Sequence, residues 1–120
     1  MKNISLSVYI SVSTNMAEKI NLIKWDNAKD GVLTDRNMEK KLQLMGMKCC
    51  RYDFSPGTIF PDHTHSFTKM DAITTGRFQM GMYGQMLILE PGDIVEVPKN
   101  TVHNAKVVGD ENVTFFDSSK

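Results

Sequence analysis

The stretch FPDHTHSF, residues 60–67, carries two of the chain's three histidines, His63 and His65, two positions apart. Residues i and i+2 of a β-strand point to one face, so a strand through this stretch presents both imidazoles to the same interior. The third, His103, lies in EPGDIVEVPKNTVHNAKVV, residues 90–108. There a Pro-Gly turn, a short apolar strand, a Pro-led turn and an alternating strand return the chain to the same sheet. Three neutral imidazoles meeting inside a β-barrel make a site for a divalent transition metal. Imidazole nitrogen suits Zn, Fe, Mn, Ni or Cu, and spacing does not choose among them.

Around these histidines the chain reads as short strands separated by specific turns. Ser55-Pro56-Gly57-Thr58 and Glu90-Pro91-Gly92-Asp93 place Pro and Gly where a type II turn wants them. Tyr83-Gly84 separates two strand-like runs, Arg77 to Met82 and Gln85 to Leu89, as a tight hairpin does. Strands of about five residues with turns every eight to twelve predict an all-β sandwich or barrel. Phe78, Met80 and Met82 share one strand face and are expected in the core.

One helix is predicted, over 34–45. Thr34 is its N-cap, Asp35 lies in the first turn, Lys40 and Lys41 lie late, and Gly46 follows the end. Met38, Leu42 and Met45 form an apolar stripe to lay against a sheet. Further upstream, Ile4, Leu6, Val8, Ile10 and Val12 alternate with polar residues. Three readings of residues 1–15 stand side by side. The first is a strand with one buried face that pairs with its own barrel or a second copy. The second is a secretory leader with a serine-rich, poorly apolar core, and the third a dispensable extension preceding Met16.

At 120 residues the chain has the size of a single domain, 1–120. Fourteen basic and fourteen acidic residues balance, so the positive surface that nucleic acid requires is missing. No segment reads as a membrane span. Cys49 and Cys50 are adjacent, which disfavours a bridge between them. Two reduced thiols, one packed as a small apolar residue, suit a cytoplasmic protein.

With these residues in place a family resemblance emerges. Gly57, His63, His65 and Gly76 resemble the first signature motif of the cupin superfamily, and Gly92, Pro98 and His103 resemble the second, in the same order. The resemblance implies a jelly-roll, or double-stranded β-helix, barrel over 47–117, decorated by the helix and the N-terminal strand. It also implies a metal held by the motif histidines. Asn100 stands where the second motif has glycine, a change that a left-handed turn tolerates.

Lys69 stands where the first motif carries a metal-binding glutamate, and a protonated lysine has no lone pair to donate. At roughly 5 Å and an effective dielectric of 20 it would repel a divalent ion by about 7 kcal/mol. Relief has four possible sources: a neutral Lys69, a side chain pointing elsewhere, pairing with Asp71, or an anionic ligand. Asp71, two residues on and on the same strand face, joins Lys69 as a possible ligand-binding residue.

The expected ligand is a small anionic molecule, and the expected assembly a homodimer. Two functions follow: a metal-dependent enzyme of dioxygenase or isomerase type, or a non-catalytic module that binds a small ligand or the metal itself. Groups for acid–base work would have to come from Asp62, Asp71, Tyr52 or Lys69, which linear sequence does not place around a substrate, and none is singled out as catalytic.

Overall fold

The computed structural model describes residues 18–120, so the expected strand at Ile4 to Val12 lies outside the described residues. A two-residue strand, β1 (Leu22–Ile23), precedes two helices, α1 (Asn27–Asp30) and α2 (Asp35–Leu44). Eight strands follow: β2 (Lys48–Phe54), β3 (Ile59–His63), β4 (Lys69–Thr75), β5 (Arg77–Met82), β6 (Gln85–Leu89), β7 (Ile94–Val97), β8 (His103–Val108) and β9 (Val113–Ser119).

The strands form two antiparallel sheets, ordered β1-β7-β4-β9-β2 and β3-β8-β5-β6. Between them lies a core of Ile73, Phe78, Met80, Met82, Leu89, Val95, Val97, Val107, Val113 and Phe115. The period of two sends alternate residues of the larger sheet outward. Ala72, Ile94 and Phe116 meet Met38 and Leu42 of α2 there. With both faces covered, β4 is buried along most of its length, which keeps water away from the polar residues it carries.

Turn chemistry aligns these strands as the sequence predicts. Gly57 and Gly92 have φ of +84° and +99°, and Thr58 and Asp93 donate backbone hydrogen bonds to the carbonyls of Ser55 and Glu90, as type II turns require. Tyr83 and Gly84 both have positive φ, the type I′ geometry that matches strand twist in a two-residue hairpin.

The hydroxyl of Thr34 accepts the Asn37 amide at 3.0 Å and caps α2. At the other end, Gly46 and Met47 donate to the Gln43 and Leu42 carbonyls, closing a Schellman motif. A second helix, α1, was not expected. It is one turn long, capped by the Asp26 carboxylate on the Ala28 amide. A single turn carries too few residues to show a helical period.

Both cysteines are free, with Cys49 half-buried and Cys50 exposed. Cys49 packs against the α2 cluster as a small apolar residue.

Candidate metal centre

His63 and His103 sit directly opposite each other on β3 and β8, so the sheet itself sets their spacing, and their ring centroids lie 4.2 Å apart. His65 arrives differently from the expectation of one continuous strand. β3 ends at His63, after a register irregularity between Phe60 and His63, and His65 lies two residues beyond it. Its carbonyl accepts the Asn100 amide at 2.7 Å. Asn100 reaches it from a left-handed conformation, φ +61°, which asparagine adopts more readily than most residues. The substitution of glycine by Asn100 therefore preserves the turn that holds the third imidazole.

The ligand-capable nitrogens of His63, His65 and His103 all lie within 4.8 Å of one another. His63 Nδ1 donates to the Pro61 carbonyl at 2.6 Å and His103 Nδ1 to the Thr101 carbonyl at 2.9 Å. A carbonyl can only accept, so both rings carry their proton on Nδ1 and leave the Nε2 lone pair free. His65 Nε2 is buried without a hydrogen-bond partner.

Burial lowers the pKa of His65, with the positive charge of Lys69 adding to the effect. Burial likewise lowers that of His103, against the raising effect of its Thr101 hydrogen bond. Neutral imidazoles with free lone pairs are what a transition metal needs, and the donor set fits such an ion.

Lys69 and Asp71 both line the cavity that the three imidazoles enter. Lys69, 6% exposed, contacts Asp117 at 2.8 Å and Asp71 at 3.3 Å. The Asp71 contact lacks hydrogen-bond geometry, and Asp71 Oδ1 remains without a donor. Burial favours a neutral lysine, but the charges of Asp71 and Asp117 outweigh it and hold the Lys69 pKa above its ordinary value. Burial also pushes the Asp71 carboxyl up to about 6, against the attraction of Lys69. Near neutral pH the cluster is one ammonium between two carboxylates, with a net single negative charge. Lys69, at the position where the resemblance implies a glutamate, is thus accompanied by two acids that offset its charge.

Asp117 is the residue that sequence reasoning missed. It is the register partner of Asp71 on β9. Its signal was the alternation Val113, Phe115, Asp117, which points an acid inward.

The histidines and the charged cluster line one cavity of about 250 Å³. Tyr52 and Lys69, named as acid–base groups, also line it, whereas Asp62 is exposed and accepts from Asn104 Nδ2 at 2.8 Å. Phe78 and Met80 serve both the core and the cavity wall. A larger hollow of about 650 Å³, bordered by Asp62 and by residues of the Tyr83-Gly84 hairpin, contains no histidine. Chemistry rather than size therefore marks the smaller cavity as the site. Among the described residues no helix is long and apolar enough to cross a membrane.

Comparison with known proteins bears on the family and the fold. The family model for the cupin domain matches residues 50–119. A germin-like protein of Arabidopsis thaliana, subfamily 1 member 4, is 31% identical over 86 residues, covering 64% of this chain and 39% of that protein. The chain spans about two fifths of the length of the curated relatives it matches.

Among solved structures, a cupin-like protein from Thermotoga maritima superposes with a TM-score of 0.56 at 22% identity, covering 84% of this chain and 66% of that one. The oxalate decarboxylase of Lactobacillus farciminis, in a formate complex, gives 0.56 at 20% identity over 62% of this chain and 24% of that one. At such identities these two structures speak for the fold.

Proposed function

This chain belongs to the cupin family, and from that premise we propose that His63, His65 and His103 hold one divalent transition ion to which a small anionic molecule binds. The observation that carries the reading is the state of the three rings. Two have Nδ1 tied to a carbonyl two residues back, and the third has a buried nitrogen with no partner. Such an ion would supply Lewis acidity at a bound carboxylate.

The chain's own residues do the rest. The Pro61 and Thr101 carbonyls fix ring orientation and tautomer. The Lys69–Asp71–Asp117 cluster keeps local charge near that of a glutamate-containing site, and the apolar walls exclude water. The oxalate decarboxylase neighbour, in complex with formate, supports a small carboxylate as the partner.

A metal-dependent enzyme of dioxygenase or isomerase type is the reading we favour. A binding module is the alternative, favoured by one feature: Lys69 is committed to two carboxylates rather than free to donate a proton.

Elemental analysis of untagged protein tests the metal, and about one ion per chain is expected. Stoichiometric metal retained in a His63→Ala/His103→Ala double variant would refute the ligand assignment. Oxygen-consumption and product assays with small carboxylates then separate enzyme from binding module.

A further inference from the structure

Metal and charge occupy only part of the cavity, and aromatic rings form much of the remainder. Phe54, Phe60, Phe78 and Phe115 close a circuit of contacts, with successive centroids 4.9, 6.0, 5.1 and 5.5 Å apart. Tyr52 stacks on Phe54 at 5.9 Å. All five line the space that the imidazoles enter.

The same space has two buried polar atoms without hydrogen-bond partners, His65 Nε2 and Asp71 Oδ1. The proposed metal accounts for the first. The second is a carboxylate oxygen, whose nearest donor, the Lys69 ammonium at 3.3 Å, does not meet hydrogen-bond geometry, so a better-placed donor can still improve on that contact.

A fully polar dianion would fit such a cavity poorly. It would give up its hydration against aromatic faces that offer it no hydrogen bond, and would sit beside a cluster of net negative charge. A ligand with an apolar ring gains from the same faces. At about 250 Å³ the cavity holds roughly eight waters of ~30 Å³ each, enough for one ring and a chelating head.

We infer that this cavity selects a small chelating molecule with an aromatic body and a hydroxyl that donates to Asp71, an aryl α-hydroxy acid in class, over an all-polar dicarboxylate. The inference rests on the metal reading for the chelating head and on the aromatic wall and Asp71 for the remainder.

Calorimetric titration of the full chain, metal-loaded and metal-free, tests it with four probes. Mandelate carries ring and hydroxyl, phenylglyoxylate the ring without the hydroxyl, glycolate the hydroxyl without the ring, and oxalate neither. On loaded protein, mandelate is expected to bind at least about tenfold tighter than glycolate or oxalate and tighter than phenylglyoxylate. On metal-free protein all four weaken while the mandelate-to-glycolate ratio persists. Phe60→Ala, with its fold checked by circular dichroism, should reduce that ratio several-fold. The wild-type ratios decide the matter without the variant.

Glycolate or oxalate binding as tightly as mandelate to loaded protein would overturn the inference and leave the metal reading standing. A protein that takes up no ion yet keeps the mandelate preference would do the reverse.

Discussion

Replacing Lys69 by methionine keeps much of the side chain's length and apolar stem and removes only the ammonium. What remains is Asp71, 2% exposed, and Asp117, its cross-strand partner, two carboxylates with no cation between them. Deleting one partner of a buried ion pair costs about 3–5 kcal/mol, because the survivor keeps its desolvation penalty. For a domain of this size each kcal/mol corresponds to roughly 4 °C in Tm, so Lys69→Met should melt ~12–20 °C below wild type near neutral pH.

The pH dependence is the sharper part of the prediction. In the wild type Asp71 already titrates near 6, above its ordinary 3.8, with burial raising it and Lys69 opposing the rise. Without Lys69 it must rise further. A folded-state pKa raised above the unfolded one contributes stability that is fully present below the unfolded value and lost as pH climbs through the folded one. The deficit of the variant should therefore be largest at about pH 8 and shrink toward about pH 5, where Asp71 is protonated in both proteins. Thermal melts of metal-free wild type and variant at both pH values provide the measurement. A deficit absent at the higher pH, or equal at both, would mean that Lys69 does not neutralise Asp71.

Coordination is addressed by the same position. Lys69→Glu supplies the family's carboxylate and Lys69→Met only removes charge, so calorimetry should rank metal affinity Glu above Met above Lys, and small-anion affinity in the reverse order. Indistinguishable values across the three proteins would place Lys69 outside the electrostatics of the site. Burial, the first cause in each case, sets the pKa values of His65 and His103 below the usual 6.5. Metal should therefore stay bound as pH falls through 6.5 and leave only on further acidification, and loss by half at or above 6.5 in dialysis would contradict those shifts. The outer edge of β2 pairs with no strand among the described residues, and a homodimer is expected; deleting residues 1–15 should lower the mass in light scattering or the melting temperature. An unchanged mass and melting curve would mark the segment as dispensable.

What could be read beforehand was what local chemistry encodes. Thr34 and Gly46 bound a helix wherever they flank an apolar stripe, and the two Pro-Gly turns reverse the chain wherever they occur. His63 and His103 were legible because alternation and turn spacing return them to one sheet. Other features depended on contacts between distant strands. His65 is placed by the Asn100 amide from another loop, not by continuation of β3. The balance at Lys69 comes partly from Asp117, whose role depends on the β4–β9 register. That register pairs Asp117 with Asp71 and brings a second carboxylate to Lys69. The aromatic wall draws on both sheets, so alternation could show that Phe54 and Phe60 point inward but not that they frame a cavity.

The direct opposition of His63 and His103 across β3 and β8 bears on how the proposed centre would acquire an ion. Backbone pairing sets these two donors opposite each other, so for the proposed centre the sheet itself supplies part of the ordering that a zinc finger obtains only from its metal. For the proposed centre, three imidazole nitrogens rank divalent ions largely by the intrinsic order of the metals themselves. The occupant is then decided by supply. The same chain prepared from cells grown on different trace elements should then carry different ions, and any activity it has should follow the ion supplied.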